Sequence, residues 1–174
     1  MDNLSLSEKI KGVKKIISFS NITIFILILL IFFLDRFTKN KIIDLQLQNT
    51  NTIFINEYVN FDLIWNTGIG FGLFNLDAGI GYHLISILIF FIIIVIFFFI
   101  MRTKNFEKIS YAIVLGGAIG NFYDRIIYYA VPDFIDLHIN NYHWFTFNIA
   151  DIFVSLGIIL LIINELILKK NEKN

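Results

Sequence analysis

The stretch IGYHLISILIFFIIIVIFFFIM, residues 80–101, decides the fold class of this chain. It contains no Asp, Glu, Lys or Arg, and about 20 such residues are enough for a helix to cross a hydrocarbon core of about 30 Å. Further apolar stretches of similar length lie at about 16–34, 109–129 and 149–168. We therefore predict a mainly α, integral membrane protein built as a bundle of four transmembrane helices.

The composition of the 174 residues excludes several other classes of protein. Hydrophobic residues make up 57% and charged residues only 16%, whereas soluble domains contain about 25% charged residues. The 14 basic residues balance the 14 acidic ones, so no net charge attracts nucleic acid, and the lack of cysteine excludes disulfides and thiolate metal sites. Four helices fill so short a chain, which predicts a single membrane-embedded domain, 1–174.

Basic residues are divided unequally between the two sides of these helices. Ten lie before the first stretch, between the second and third, or after the fourth. The other four are Arg36, Lys39, Lys41 and Arg125. The positive-inside rule therefore predicts that both termini are cytoplasmic. Nine of the fourteen acids fall on the outer side, where we expect any chemistry to occur.

Segment 44–66 departs from the apolar helical pattern. Within it, NTIFINEYVNFDLIW at residues 51–65 alternates with period two and is rich in β-branched and aromatic residues, which is typical of strands. The aromatic segment YHWFTF at residues 142–147 could pair with it. These segments predict a small extracytoplasmic β-sheet.

Small and polar residues recur on one face of the third and fourth stretches. They are Gly117, Gly120, Asn121 and Asp124 on the third, and Asn148, Asp151 and Ser155 on the fourth. Between the two stretches, VPDFID at residues 131–136 adds Asp133 and Asp136 in a predicted loop. Because a charge at membrane depth is costly, such residues mark functional sites. We expect three or four carboxylates to converge at the outer membrane boundary.

These carboxylates allow a catalytic and a structural interpretation. Two acids that share one proton could act as general base and general acid, as in aspartic proteases. In the structural interpretation the glycines let helices pack, Asp136 is a solvated loop residue or a helix cap, and Asp35 with Lys39 forms a helix-end pair. The sequence lacks the motifs of zinc peptidases and serine hydrolases, because the three histidines form no HExxH motif and no G-x-S-x-G occurs.

Two rival functions would use the same acids. A small transporter or channel subunit could bind a cation through them, but beyond Ser155 the fourth stretch stays apolar until Asn164 and Glu165, which disfavours conduction. A non-catalytic assembly protein could use them to join helices. Substitution of the acids distinguishes an assembly protein from an enzyme. Acids that join helices are needed for folding, whereas catalytic acids are needed only for turnover.

Five short motifs follow one another along nearly the whole chain. They are LDRFTK (34–39), NTGIGFG (66–72), GGAIGNFYDR (116–125), VPDFID (131–136) and FNIAD (147–151). In this order they resemble the motifs of the bacterial lipoprotein signal peptidases, or type II signal peptidases, which are integral membrane aspartic proteases. Ile69 and Gly70 stand where that family often has two alanines, and Pro132 immediately precedes Asp133.

The resemblance implies that Asp133 and Asp151 are the catalytic dyad of an aspartic endopeptidase. Its implied substrate is a lipid-modified prolipoprotein, cut just before a cysteine that bears a diacylglyceryl group, with no metal or cofactor. The implied lining and bracing residues are Asn66, Gly68, Asn121, Asp124, Arg125 and Asn148, with Asp35 and Lys39 as supports. The implied fold has four transmembrane helices and a β-sheet cradle. We expect a monomer surrounded by lipid in the bacterial cytoplasmic (inner) membrane.

Overall fold

The structure is a computed structural model that describes residues 19–48, 52–68 and 80–171. Residues 16–18 of the first predicted helix, and Ile69 and Gly70, lie outside these ranges. The described elements are α1 Phe19–Gln48, β1 Ile53–Asn56, β2 Val59–Asn66, α2 Ile80–Arg102, α3 Asn105–Tyr128, β3 Val131–Ile139, β4 Tyr142–Phe147 and α4 Ile149–Asn171. The prediction of a mainly helical protein with a small sheet is confirmed.

Helix α1 is longer than the sequence predicts. Its apolar stretch ends near Leu34, but the helix continues to Gln48. The second half, DRFTKNKIIDLQLQ, contains no glycine or proline and several good helix formers, so nothing in it terminates the helix. Three of its five charged residues, Asp35, Arg36 and Lys39, are paired inside the protein. The β-rich segment predicted from residue 44 therefore begins only at Ile53.

Three helices in the described residues are long and apolar enough to cross a membrane, and they cover Ser20–Gln48, Gly81–Arg102 and Ile149–Ile167. Helix α3 differs because it carries charged residues at both ends, such as Glu107 and Arg125. It packs against all three of the other helices, so much of its surface contacts protein. A helix in this position needs fewer apolar residues than one surrounded by lipid.

Two glycines of α3 allow a close approach to α1 and α4. A Cβ added to Gly117 would lie 2.5 Å from the carbonyl oxygen of Ala150, and one added to Gly120 would lie 2.6 Å from Oδ2 of Asp35. Both distances are far below van der Waals contact, so any side chain would push the helices apart. The first turn of α4 is therefore held directly against α3.

The four strands form one antiparallel sheet in the order β1-β2-β3-β4. VPDFID was expected in a loop, and this expectation was wrong because β3 pairs on both sides, with Asp133 opposite Ile64 and Ile135 opposite Phe147. Strand β4 pairs with β3 rather than with residues 51–65. A short turn joins these two strands, and Asn140 in it has a left-handed φ of 53°, which favours a tight hairpin between chain neighbours.

Candidate active site

Asp133 and Asp151 line one cavity of about 450 Å³. Asp133 comes from β3, and Asp151 comes from the first turn of α4. Asp133 is only 2% exposed, so its carboxylate has little contact with bulk water. The structure thus brings these two acids, from separate elements, to one cavity.

Asp151 is positioned by the cap of its own helix. Asn148 precedes α4, and its Oδ1 accepts a hydrogen bond of 3.1 Å from the backbone N–H of Asp151. In return, Oδ2 of Asp151 accepts a hydrogen bond of 3.2 Å from the backbone N–H of Asn148. This reciprocal pair is a capping box, which satisfies two amide groups that a helix start leaves free. The helix start therefore fixes one oxygen of Asp151.

Both carboxylate oxygens of Asp133 receive amide hydrogen bonds. Nδ2 of Asn66 donates to Oδ2 over 2.8 Å, and Nδ2 of Asn148 donates to Oδ1 over 2.5 Å. Burial, together with repulsion from Asp151, raises the pKa of Asp133 to about 7, although the two amide bonds act in the opposite direction. Asp133 can therefore gain or lose a proton near neutral pH, as a general acid or base must.

A lysine orients the amide that holds Asp151. Nζ of Lys39 donates to Oδ1 of Asn121 over 2.7 Å, and Nδ2 of Asn121 donates to Oδ1 of Asp151 over 2.8 Å. Because an ammonium group can only donate, it binds the oxygen of Asn121 and turns the NH₂ group towards Asp151. Lys39 therefore acts on the dyad through Asn121.

Lys39 also belongs to a buried network of two cations and two anions. Nζ of Lys39 lies 2.9 Å from Asp35 and 2.8 Å from Asp124, and Arg36 pairs with the same two carboxylates. Asp35, Lys39 and Asp124 are fully buried. Oδ1 of Asp35 accepts a hydrogen bond of 3.0 Å from the backbone N–H of Ala150. The network is neutral overall, and it joins α1, α3 and the first turn of α4.

Arg125 anchors the chain just after β2. Its guanidinium donates to the carbonyl oxygen of Gly68, and Tyr82 donates to the carbonyl oxygen of Arg125 over 2.8 Å. The backbone N–H of Gly68 donates to Oδ1 of Asn66 over 2.8 Å, which leaves the NH₂ group of Asn66 directed at Asp133. Gly68 and Arg125 together therefore fix the donor that Asp133 uses.

The cavity continues away from the two acids between apolar helix faces. Its walls include Ile89, Ile92 and Ile96 of α2, and Val154, Ile158 and Leu161 of α4. Both sets recur every three or four residues, so each forms one face of its helix. The cavity thus joins a polar end, where the acids lie, to a long apolar part.

Asp136 does not join the other acids. It lies three residues after Asp133, and successive side chains of a strand point to opposite faces. Its Oδ2 lies 2.7 Å from Nδ1 of His143. The interpretation of Asp136 as a solvated loop residue was wrong, since it is 4% exposed and strand β3 continues through it.

Two residues of the site were missed in the sequence. Arg36 completes the charge network, and a basic residue next to Asp35 at membrane depth was a signal that could have found it. Tyr82 holds Arg125 through a backbone carbonyl. The sequence does not indicate this role of Tyr82, because one tyrosine near the end of an apolar helix is typical of a membrane interface.

Known proteins are similar to this chain over most of its length. The model of the family described as Signal peptidase (SPase) II matches residues 27–167. A lipoprotein signal peptidase of Pelagibacter ubique (strain HTCC1062) is 48% identical over 153 residues, which cover 86% of this chain and 92% of that protein. One from Francisella tularensis subsp. novicida (strain U112) is 37% identical over 152 residues, with coverage of 85% and 94%.

Two solved structures of bacterial membrane enzymes have a similar fold. The first has a TM-score of 0.66 at 25% identity and covers 86% of this chain and 90% of its own. The second has a TM-score of 0.61 at 28% identity, with coverage of 83% and 92%. Since the family match spans most of the sequence and the relatives align over nearly their whole length, this chain belongs to the signal peptidase II family.

Proposed function

We propose that this chain cuts diacylglyceryl-modified prolipoproteins just before the lipidated cysteine, with Asp133 and Asp151 as its catalytic dyad. As a member of the signal peptidase II family, it is an aspartic peptidase that removes signal peptides from prolipoproteins. The observation that supports the choice of residues is the shared cavity, which both carboxylates line at its polar end.

In the proposed mechanism the two aspartates act as one acid–base pair. Burial and mutual repulsion favour a single shared proton near neutral pH, and this titration belongs to the pair. The ionised carboxylate takes a proton from a water molecule, whose oxygen attacks the carbonyl carbon of the scissile bond. The protonated carboxyl group donates to the carbonyl oxygen. When the C–N bond breaks, the first aspartate passes the proton it took from water to the leaving amine, and a hydroxyl group of the tetrahedral intermediate returns a proton to the second aspartate.

The remaining predicted residues position this pair and the substrate. Asn66, Asn121 and Asn148 hold the carboxylates through their amides, and the network of Lys39 holds these elements together. Arg125 lines the cavity, and its buried Nε and Nη1 have no hydrogen-bond partner. Buried donors are almost always paired, so these two atoms are suited to bind a backbone carbonyl group of the substrate.

The apolar part of the cavity is suited to the lipid of the substrate. Each methylene group of an acyl chain contributes about 0.8 kcal/mol when it is buried. Ile92 of α2 and Ile158 of α4 belong to the two apolar faces that line this space. The substrate would enter from the lipid between these helices and bring its peptide bond to the acids.

For the topology, we propose a single domain, 1–174, that is a monomer in the bacterial inner membrane. Helix α3 is the fourth transmembrane helix of this proposal, since its contacts with α1, α2 and α4 compensate for its charged residues. The ten-to-four division of basic residues supports cytoplasmic termini and an active site at the outer face.

Substitution of the dyad tests the proposal. Asp133→Asn and Asp151→Asn should each abolish cleavage of a lipid-modified prolipoprotein by the purified enzyme, because an amide cannot accept the proton of the water. Asp62→Asn, a matched change in a half-buried carboxylate of β2, should cleave at the parent rate. Cleavage near the parent rate by either dyad variant would exclude that residue. Loss of folding in both would favour the helix-joining alternative.

A further inference from the structure

A second cluster of polar side chains lies on the sheet, on the face away from the dyad. Asp136, His138 and His143 each direct one ligand atom into a space where the three atoms lie within 4.8 Å of one another. We infer that these three residues bind a divalent transition-metal ion of the Zn²⁺ type.

The strand register brings the three side chains together. Asp136 and His138 are two residues apart on β3, so the pleat of the strand places them on the same face. His143 lies directly opposite His138 on β4, and cross-strand partners point to the same side of a sheet. Because a short turn joins β3 to β4, all three side chains come from one hairpin. The hairpin therefore presents three ligands without help from the helices.

The distances are close to those of a zinc site. Ligand atoms about 2.0–2.1 Å from a tetrahedral ion lie about 3.3 Å from one another. Nδ1 of His138 is 3.5 Å from Oδ2 of Asp136, and Nδ1 of His143 is 2.7 Å from the same oxygen. The side chain of His143 is 61% exposed, so its ring can turn to increase this 2.7 Å distance by the roughly 0.6 Å that the ion requires.

The burial of the cluster calls for a cation. The side chain of Asp136 is only 6% exposed, and its ionic partners are the two imidazoles, with no lysine or arginine among the described residues. Nδ1 of His138 is buried and has no hydrogen-bond partner. The carboxylate of Asp136 is hydrogen-bonded to the exposed ring of His143, but the buried Nδ1 of His138, 3.5 Å away, has no hydrogen bond, which is costly. One metal ion between them would satisfy both groups.

The donor set indicates the class of metal. Two imidazole nitrogens and one carboxylate suit Zn²⁺ and its neighbours among the transition metals, whereas Ca²⁺ and Mg²⁺ prefer oxygen ligands. The ion would connect β3 to β4 three residues beyond Asp133. It would therefore stabilise the hairpin that continues from the strand carrying a proposed catalytic residue, without entering the reaction.

Metal titration of the full-length protein, purified in detergent through a tag without histidine, tests the site. Calorimetry should show one Zn²⁺ ion bound per chain, and Co²⁺ should give visible absorption bands of a bound ion. His138→Ala and His143→Ala should each weaken binding by at least about tenfold, since second-shell losses alone cost that much. The control is His83→Ala, which removes the remaining histidine of the chain, an exposed residue of α2.

The inference also predicts a change in stability. Zn²⁺ should raise the unfolding temperature of the parent protein and of His83→Ala, because the ion binds only the folded hairpin. His143→Ala should not respond, and its exposed position makes a folding defect a minor concern. Equal Zn²⁺ titrations of the parent and His143→Ala would overturn the inference. So would loss of binding in His83→Ala, or tighter binding of Ca²⁺ than of Zn²⁺.

Discussion

Replacement of Lys39 by methionine should both destabilise the protein and slow its reaction. The network of Lys39, Arg36, Asp35 and Asp124 is neutral, and the variant leaves it with one net negative charge among buried groups. Removing one partner of a buried ion pair costs about 3–5 kcal/mol. For a chain of this length each kcal/mol lowers the unfolding temperature by about 2–4 °C, so the expected loss is on the order of 10 °C.

The same substitution should affect catalysis through Asn121. Without the ammonium group, the amide of Asn121 can turn its oxygen towards Asp151, and the carboxylate loses its 2.8 Å donor. Misplacement of a catalytic group by about 1 Å can cost about 100-fold in rate. We therefore expect kcat to fall by about 10- to 100-fold, with a smaller change in KM.

Two further variants test whether these effects arise from the buried charge network. Lys41→Met removes an exposed lysine two residues along the same helix and should change neither property. Lys39→Met combined with Asp124→Asn restores neutrality and should recover part of the unfolding temperature, but not the rate. Thermal unfolding in detergent and cleavage of a prolipoprotein are the two assays. If Lys39→Met and Lys41→Met unfold at the same temperature, the argument from the charge network is wrong.

Other predictions concern pH, metals and topology. Activity should fall on both sides of an intermediate pH, with the alkaline loss near pH 7 where Asp133 ionises, and a flat profile from pH 5 to 9 would contradict a shared proton. The free energy of unfolding should decrease by up to about 4 kcal/mol between about pH 4 and 7, because folded Asp133 keeps a proton that the unfolded chain releases, and Asp133→Asn should flatten this change. His143→Ala, which lacks a ligand of the inferred zinc site, should stay active in EDTA because neither dyad carboxylate needs a metal, and a loss that zinc restores in this variant would overturn the aspartic mechanism. Tags at Met1 and Asn174 should be protected from external protease in intact cells, whereas a tag near Asn51 should be cleaved once the envelope is permeable, and opposite results for the two termini would mean that a helix is miscounted.

The helical elements were predictable because each apolar stretch carries its signal locally. Lipid requires about 20 apolar residues whatever the rest of the chain does, and α2 was found within one residue of its observed end at Arg102. The end of α1 was missed for the opposite reason. Asp35 and Lys39 resemble the end of a membrane span in isolation, and only their contacts with Asp124, far along the chain, explain why this charged turn lies inside the protein.

The carboxylates of the proposed site were predictable as a group, but their partners were not. Spacing along a helix placed Asn121 and Asp124 on one face, whereas no local pattern shows that Asp133 lies on a strand. Its pairing with β2 is a long-range contact, and the same pairing decides that Asp136 faces away. The three histidines were dismissed as metal ligands by motif. The arrangement Asp136-x-His138 before a tight hairpin turn was the signal that could have indicated the second cluster.

The buried charge network has a consequence for the order in which the membrane-embedded chain is assembled. Asp35, Arg36 and Lys39 leave the ribosome together with one excess positive charge, and Asp124 follows 85 residues after Lys39. Until α3 is inserted, the second half of α1 therefore lacks one of its counterions and is better placed at the polar headgroups than in the hydrocarbon. We expect this half to settle only when α3 arrives, so α1 and α3 enter their final positions as a pair.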